Sequence, residues 1–439
     1  MGWGRPHLPG EPPQLRLRAS SNGRYLVHGF DTPFLLCASA AWMLTQNLTL
    51  SEIQAYLDDQ QARGVNGFLI DPIGKHWSIN SPNNLADVSP FTATTGGQED
   101  LSTPRASFWD PIFDVIGVEM ASRNQVAIVD GSYLGNAGVD GWYDELTANT
   151  QAKCESYGTF LGQELGALPN VIHVAGGDRA WANIGTTERA KLEAYTDAIK
   201  TADPNHLVLG HFLQAVNNFE ISGGPFPWND ISFCYSNSSG LLQKALDAWA
   251  VSGPVPSIMG EGVYVDSPFD TPAPPTRKTL RGQYWQMLTS GCGGFIPGDE
   301  SVWPFGGPNG FSGTDWEENL DTPHAGDVQR ARDFFAARSW WLLEPDTGSA
   351  LVTVGRGSIG RDYVTAAVAS DGSFAAIYIP GGGQITVQCN ELLGPVRARW
   401  FDPTDGNYAS AGTGLTGSQN FDPSLNAAGA TDKILLLEV

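Results

Sequence analysis

The sequence predicts an α/β fold, a (β/α)8 TIM barrel followed by a small all-β sandwich domain. Up to about residue 345, short apolar runs alternate with amphipathic helical stretches, which is the pattern of repeated βα units around a parallel sheet. Eight such runs are present, as many as a closed barrel requires. After residue 345 the periodicity becomes two, with Asp-Gly and Gly-Gly turns between the runs, which is typical of antiparallel strands.

The 439 residues divide into three predicted segments. Residues 1–20 form an N-terminal extension, residues 21–345 the barrel and residues 346–439 the sandwich. The apolar segment "WWLLEP" at 340–345 is too hydrophobic for a free linker, so we expect a packed interface between the two domains. The predicted barrel strands are 34–38, 67–71, 126–130, 171–177, 207–211, 231–235, 257–261 and 294–297.

Two helices between these strands carry clear boundary signals. The first is predicted to begin behind a cap at Thr49 and to end at Gly64, with Ile53 and Leu57 on one face. The second, within "TTERAKLEAYTDAIKTADP", is predicted to stop before Pro204, because the residue before a proline disfavours the helical conformation.

Composition limits the possible partners. A net charge of −22 repels phosphate backbones, so we expect no nucleic acid partner. No run approaches the roughly 18 apolar residues of a membrane span. Five cysteines are not a disulfide framework, and Cys37, Cys234 and Cys292 lie in or beside apolar runs, so we expect buried free thiols.

The chain has 52 glycines, 29 prolines and 14 tryptophans, a profile common among exported sugar-binding proteins. Its first 14 residues have no apolar core of a signal peptide. We expect an extracellular or periplasmic protein whose signal is absent from this sequence, with a virion-associated or cytoplasmic protein as the alternative.

Acids and amides collect at the carboxyl ends of the predicted strands, where the loops of a barrel form its active site. Asp178 and Glu261 stand out, because small residues precede both and they lie on the fourth and seventh strands. Hydrolysis of a glycosidic bond needs two such carboxyl groups. The alternative for Asp178 is an N-cap for a helix near Ala180. The polar residues that end the strands are Asp71, Asp130, Asp178, His211, Asn237, Glu261, Asp299 and Glu300.

The surroundings of Asp178 fit a general acid. Gly176 and Gly177 are expected to let a sugar ring approach, and the apolar neighbour Trp181 to disfavour the ionised carboxyl. Each aromatic candidate has core packing as its alternative, and Asp71 and Asp130 are open between substrate hydrogen bonding and structural roles. The predicted substrate-binding residues are Trp42, Asp71, Trp77, Asp130, Trp181, His211, Tyr264, Asp299, Glu300 and Trp303.

We expect no cofactor and no metal, because no HExxH, CxxC, Gly-x-Ser-x-Gly or phosphate-loop motif is present. A metal site that uses His211 with Asp130 is the alternative.

Several stretches resemble a known family. "NGRYLVHGFDTPFLLCASAAW", "NVIHVAGGD", "PSIMGEGVY" and "GGFIPGDESVWPF" resemble the glycoside-hydrolase-like barrels that include the apiosidases, and "ARWFDPTDGNY" resembles the collagen-binding-type sandwich that usually follows. The resemblance covers residues 15–439 and implies a retaining enzyme with Asp178 as acid/base and Glu261 as nucleophile. Ser39 and the Asp299–Glu300 pair stand where the family usually has an aspartate and a histidine, and both positions are expected to line the sugar pocket.

The sequence therefore predicts a glycoside hydrolase that cleaves a poly- or oligosaccharide. A carbohydrate-binding or virion- or cell-surface structural protein on the same fold is the alternative, and the oligomeric state is open. Because the resemblance implies a nucleophilic glutamate, we expect the two carboxyl groups at the short separation of retaining enzymes, about 5–5.5 Å, and not at the about 6.5–9.5 Å of inverting ones.

Overall fold

The structure, a computed structural model, describes residues 15–136, 140–213, 227–236, 240–270, 273–307 and 315–439. Asn237 and residues 1–14 of the predicted N-terminal extension lie outside these ranges.

The first part of the chain forms the predicted barrel. Its eight strands are all parallel, and each pairs with the neighbour that a closed (β/α)8 order requires. A parallel bridge between Leu209 and Ile231 joins the fifth strand to the sixth, where the sheet would otherwise be open. The barrel strands are Leu36–Ala40, Gly67–Ile70, Val126–Asp130, Val171–Gly176, Leu207–His211, Ser232–Tyr235, Ser257–Glu261 and Gly294–Phe295.

The first barrel strand begins at Leu36 and not at Phe34 as predicted. Phe34 ends a separate strand, Thr32–Phe34, which pairs antiparallel with Leu26–His28, itself paired with Arg18–Ala19. One apolar run passes through both strands, so its hydrophobicity does not mark the boundary between them. A two-stranded hairpin, Thr94–Thr95 and Gln98–Glu99, lies in the connection after the second barrel strand.

The helices follow the predicted boundary signals. Thr49 caps the helix Leu50–Ala62 by accepting a hydrogen bond from the Glu52 N–H, while the Glu52 carboxylate accepts one from the Thr49 N–H. The helix Thr186–Ala202 stops before Pro204, as predicted. The α-helices are Leu44–Asn47, Leu50–Ala62, Ala106–Asp114, Tyr143–Ala148, Gln151–Gly166, Thr186–Ala202, Leu241–Ala250, Arg277–Leu288 and Pro323–Ala336, with a π-helical turn at Val115–Met120 and 3-10 turns at Trp181–Asn183, Glu317–Asn319, Trp340–Leu342 and Cys389–Glu391.

The barrel strands are buried on both faces, as expected where helices surround a parallel sheet. All five cysteines are buried free thiols, which confirms the prediction. In the described parts of the chain, no helix combines the length and the apolar character that a membrane crossing requires.

The second part of the chain is a sandwich of a six-stranded and a three-stranded sheet. Apolar residues of both sheets, among them Ile377, Val387 and Leu437, form one core. The first strand of the larger sheet, Leu343–Pro345, pairs with Thr365–Ala369 and lies just before residue 346. The sandwich strands are Leu343–Pro345, Val352–Val354, Thr365–Ala369, Phe374–Ile379, Ile385–Gln388, Val396–Phe401, Tyr408–Leu415, Ser418–Phe421 and Lys433–Glu438.

Barrel and sandwich share a second apolar core, which confirms the predicted interface. Trp285, on the barrel helix Arg277–Leu288, packs with its ring centroid 6.4 Å from that of Tyr378 and 5.6 Å from that of Phe401. The Arg281 guanidinium beside it donates two 2.7 Å hydrogen bonds to Asp432, and both side chains are buried. The sandwich is thus fixed to the helix Arg277–Leu288 of the barrel by apolar packing and by a buried ion pair.

Candidate active site

The fourth strand delivers Asp178 to the carboxyl end of the barrel through two glycines. Gly176 and Gly177 have φ angles of +116° and +115°. A Cβ on Gly176 would lie 2.1 Å from the His211 carbonyl oxygen, and one on Gly177 would lie 2.3 Å from the Leu134 nitrogen. The close approach of neighbouring backbone therefore requires both glycines, and the sequence did not indicate this reason.

A cavity of about 410 Å3 opens at this end of the barrel. The predicted site residues that line it are Trp42, Asp71, Trp77, Asp178, His211, Glu261, Tyr264, Glu300 and Trp303. Residues that the prediction did not include also line it, namely Met43, Tyr133, Asn136, Asp140, Leu213, Tyr235, Gly262, Ser267 and Phe269.

Asp178 is held by two tyrosines. The Tyr235 hydroxyl donates a 2.6 Å hydrogen bond to Oδ1, and the Tyr133 hydroxyl lies 3.5 Å from Oδ2. The 3-10 turn that follows begins behind Ala180 without a side-chain cap, so Asp178 does not have the alternative capping role there. Burial raises the pKa of Asp178 to about 6, and the charge of Glu261 adds to this effect.

Glu261 ends the seventh strand and faces Asp178. The Tyr264 hydroxyl, which accepts a 3.1 Å hydrogen bond from Trp42 Nε1, interacts with the Glu261 carboxylate. A carboxylate oxygen of Asp178, a carboxylate oxygen of Glu261 and a ring nitrogen of His211 all lie within 4.8 Å of one another. The two carboxylates therefore stand at the short end of the separations that glycosidases use.

Two further acids that line the cavity, Asp71 and Glu300, have raised pKa values. Burial, together with the charge of Asp130, raises the pKa of Asp71 well above its usual range, and Asp71 Oδ1 accepts a hydrogen bond from the Ile73 N–H. Burial raises the pKa of Glu300 to about 7, with a contribution from Glu261. Trp303 Nε1 donates a 2.8 Å hydrogen bond to Glu300 Oε2.

Three predicted substrate-binding residues do not line this cavity. Asp130 is fully buried behind His211. Trp181 packs with its ring centroid 5.2 Å from that of Phe212 and under the Arg189 guanidinium, so it does not supply the predicted apolar contact within the cavity.

Asp299 is the third. It lines a separate cavity of about 70 Å3 together with Ser39, whose hydroxyl lies 3.1 Å from that of Tyr56. Asp299 Oδ1 accepts a hydrogen bond from the Ser301 N–H, which turns the side chain back along its own loop. The expectation that Ser39 and Asp299 line the sugar pocket is wrong, whereas Glu300 does line it.

The most informative residue that the prediction missed is Tyr235. It is the last residue of the sixth strand, so the same reading of strand ends would have found it. The prediction considered only acids, amides and imidazoles at these positions. Tyr133 and Asp140 lie in the loop after the third strand, where no periodic pattern marks them.

Two groups of side chains in the described ranges have donor atoms close enough for a metal ion. One is Asp178, His211 and Glu261. The other is His173, Asp203 and His206, and none of these three residues lines the cavity. In this group Asp203 Oδ2 lies 2.9 Å from His173 Nε2 and 2.7 Å from His206 Nδ1. In this second group the aspartate already pairs with both imidazoles.

Comparisons with known proteins describe both domains. The model of the family described as "Apiosidase-like, catalytic domain" matches residues 20–342, and that of the "Putative collagen-binding domain of a collagenase" matches residues 349–438. No curated protein sequence matches the chain.

Solved structures share the two-domain architecture. One named "Glycoside hydrolase" is 20% identical, with a TM-score of 0.81 and coverage of 97% of this chain and 97% of that chain. A family 5 glycoside hydrolase from Bacteroides vulgatus ATCC 8482 is 19% identical, with a TM-score of 0.80 over 96% of this chain and 93% of that chain. At these identities the likeness establishes the fold.

Proposed function

This chain belongs to the apiosidase-like family of glycoside hydrolases, and from that premise we propose that it cleaves its glycosidic bond with retention of configuration. Asp178 is the acid/base and Glu261 the nucleophile. The observation that carries the proposal is the distance across the cavity, because one oxygen of each carboxylate lies within 4.8 Å of the other. An inverting pair stands farther apart, to admit a water molecule between carboxylate and sugar.

The reaction proceeds in two displacements. In the first, a Glu261 oxygen bonds to the anomeric carbon while Asp178 gives its proton to the departing glycosidic oxygen. In the second, Asp178 takes a proton from water, the water oxygen bonds to the anomeric carbon, and the ester bond to Glu261 breaks. Asp178 ends protonated and Glu261 ends as a carboxylate, as both began.

The arrangement explains how Asp178 changes from acid to base. In the free enzyme, burial and the negative charge of Glu261 raise the pKa of Asp178 to about 6, so the carboxyl retains a proton in mildly acidic solution. When Glu261 becomes an ester, its charge disappears and the pKa of Asp178 falls. The carboxylate that results is then available to accept a proton from water.

The cavity lining favours a sugar without negative charge. Five carboxyl side chains line it, and the lining residues that the structure describes include no lysine or arginine. Phe269 is 60% exposed at this cavity, and Trp77 lies with its ring centroid 5.5 Å from that of Trp303. Such aromatic faces offer stacking surfaces for sugar rings. The five acids are Asp71, Asp140, Asp178, Glu261 and Glu300.

A screen of aryl glycosides and polysaccharides tests the proposal, with the first-formed anomer of the product followed by proton NMR. We expect the product to appear with the anomeric configuration of the substrate. Glu261→Gln should abolish turnover with little change in thermal stability, whereas Glu193→Gln, on an exposed helix surface, should retain full activity. A product of inverted configuration, or normal activity of Glu261→Gln, would overturn the assignment. Binding of a glycan without product would identify a carbohydrate-binding protein.

A further inference from the structure

His211 ends the fifth strand as a fully buried side chain with carboxylates at both ring nitrogens. Nδ1 lies 3.3 Å from Asp130 Oδ2, and Nε2 lies 3.2 Å from Glu261 Oε2 and 3.8 Å from Asp178 Oδ1. Among the residues that the structure describes, neither Nε2 nor Glu261 Oε2 has an aligned hydrogen-bond partner. The contact between them is thus chiefly one of charge, at ion-pair distance.

This geometry constrains the protonation state of the ring. A neutral imidazole carries one N–H, so its other nitrogen would point a lone pair at a carboxylate oxygen. An imidazolium presents an N–H on both sides and meets a negative group with each. Burial by itself lowers the pKa of His211, but the hydrogen bond to Asp130 and the nearby charges of Glu261 and Asp178 outweigh burial and raise the pKa to about 10.

Aromatic rings enclose the same imidazole. Trp42 stacks on it with a centroid distance of 5.6 Å and an interplanar angle of 22°, and the Phe233 and Tyr235 centroids lie at 5.0 and 5.5 Å. Faces of aromatic rings stabilise a cation that has left water. The enclosure also fixes the plane of the ring, so that both nitrogens stay directed at their carboxylates.

One carboxylate oxygen of Asp130 is directed at this imidazole. Its Oδ1 accepts a 3.1 Å hydrogen bond from the Ser132 N–H, which leaves Oδ2 directed at His211. The side chain is fully buried and does not line the cavity, so it does not reach a substrate. In the described parts of the chain, the ionisable groups that face His211 are Asp130 and Tyr133 of the third strand and its loop, Asp178 after the fourth, Tyr235 of the sixth and Glu261 of the seventh.

We propose that Asp130 and His211 are positioning residues: a buried imidazolium, backed by Asp130, holds Glu261 as the carboxylate and leaves the proton of the pair on Asp178. The asymmetry lies in the contacts, because His211 Nε2 is nearer to Glu261 than to Asp178. Two interacting carboxyls without such a bias share their proton, and neither then has a defined role. The effect on the pair rests on the proposed function, while the charge on His211 does not.

Nitrogen NMR of the full chain tests the charge without any substrate. The chain has seven histidines, and the signals lost in His211→Gln identify the ring. We expect both His211 nitrogens to report N–H from pH 6 to pH 8. In Asp130→Asn the ring should titrate at least one pH unit lower. Asp203→Asn is the matched control, because it changes a buried aspartate that faces two other histidines, and the His211 signals should not move.

The pH dependence of kcat/KM tests the effect on the catalytic pair. Removal of the cation makes the ionised form of Glu261 less stable, so His211→Gln should shift the acid limb of the profile upward by at least one pH unit. At pH 5 we expect kcat to fall at least tenfold and KM to change less than threefold, since the His211 side chain is fully buried behind the two carboxyl groups. Asp130→Glu keeps the negative charge behind the ring, so its acid limb should stay at the wild-type pH.

A wild-type spectrum with one bare His211 nitrogen at pH 6 overturns the proposal, whatever the enzyme hydrolyses. A lower rate of His211→Gln with an unmoved acid limb also overturns it, because a residue that only packs would act in this way. If His211→Gln does not fold, the signals that move in Asp130→Asn assign the His211 ring, and the pH profile of Asp130→Asn is compared with that of the wild type. Failure to find any glycoside that is hydrolysed counts against the proposed function, and the spectrum still decides the charge on His211.

Discussion

The Tyr235 hydroxyl donates a 2.6 Å hydrogen bond to Oδ1 of Asp178 and so connects the end of the sixth strand to the proposed acid on the fourth. This bond stabilises the ionised carboxyl and opposes the effect of burial, which raises the pKa of Asp178. Tyr235 therefore affects the pKa of Asp178 as well as the orientation of its carboxyl group.

Tyr235→Phe should weaken catalysis and shift its pH dependence. Loss of a hydrogen bond to a charged group costs about 1.5–3 kcal/mol, so we expect kcat/KM to fall roughly ten- to a hundredfold. The pKa of Asp178 should rise, because the bond that lowered it is gone, and the alkaline limb of the profile should move to higher pH. Tyr363→Phe in the sandwich is the control. An unmoved alkaline limb would show that the bond does not act on the acid.

Asp178→Ala should discriminate between substrates by their leaving groups. Protonation of the departing oxygen contributes about 10²–10⁴-fold, and an activated aryl group needs little of it. We therefore expect hydrolysis of unactivated glycosides to collapse and that of dinitrophenyl glycosides to lose far less in the glycosylation step. Single-turnover rates measure this step directly. Equal losses on both classes would mean that Asp178 only positions the sugar.

Charge should separate substrates that are otherwise alike. A sugar carboxylate about 6 Å from one ionised acid of the cavity costs about 3 kcal/mol at an effective dielectric constant of 20, or roughly a hundredfold. A uronide should thus react at least that much more slowly than the matching neutral glycoside. Glu300→Gln should reduce the difference above pH 7, since the pKa of Glu300 is about 7. Equal kcat/KM values for the pair would contradict the electrostatic argument.

Acid should destabilise the fold through the His173–Asp203 pair. Burial depresses the pKa of His173, and the imidazole partners depress that of Asp203 against the effect of burial. Both groups bind protons more weakly when folded, so stability decreases as pH falls, from near 6.5 for His173 and from near 3.8 for Asp203. His173→Gln should flatten the decline of the unfolding midpoint between pH 6.5 and 4.5. The exposed His76→Gln should leave this slope unchanged. A wild-type slope in His173→Gln would assign the decline to other groups.

The ion pair between the domains should be costly to break from one side. Asp432→Asn leaves the buried Arg281 guanidinium with Asp327, 3.5 Å away, as its remaining carboxylate, and we expect a loss of about 3 kcal/mol in the free energy of unfolding. Denaturant titration measures it, with the exposed Asp405→Asn as control. A double change, Arg281→Met with Asp432→Leu, should recover most of the loss. If the single variant is as stable as the control, the pair does not hold the domains together.

The sequence allowed the residues at the strand ends to be predicted. It did not allow the direction of side chains in the loops beyond them to be predicted. Glu261 is the last residue of its strand and Asp178 lies two residues beyond the end of its own, so the barrel geometry places both at one rim. Asp299 lies in a loop after a strand of only two residues, where a local hydrogen bond to the Ser301 N–H decides its direction. Trp181 was associated with Asp178 by its proximity in sequence, but a short turn carries it to Phe212 instead.

The role of His211 and the reason for the two glycines were beyond the sequence for a related cause. Both depend on contacts between separate strands, His211 with Asp130 and Gly176 with the His211 carbonyl. Hydrophobic periodicity defines which residues share a strand face. It does not give the atomic distance between one strand and the next, which comes only from the closed barrel.

The shared core around Trp285 joins the sandwich to the barrel through one continuous set of buried apolar side chains. One indole packs between a barrel helix and the sheet that holds Tyr378, so we expect the two domains to unfold together. We therefore expect the two domains to be inherited together. A recombination event that joined this barrel to a foreign sandwich would have to bring along, in one step, a matching surface for Trp285 and a carboxylate for Arg281.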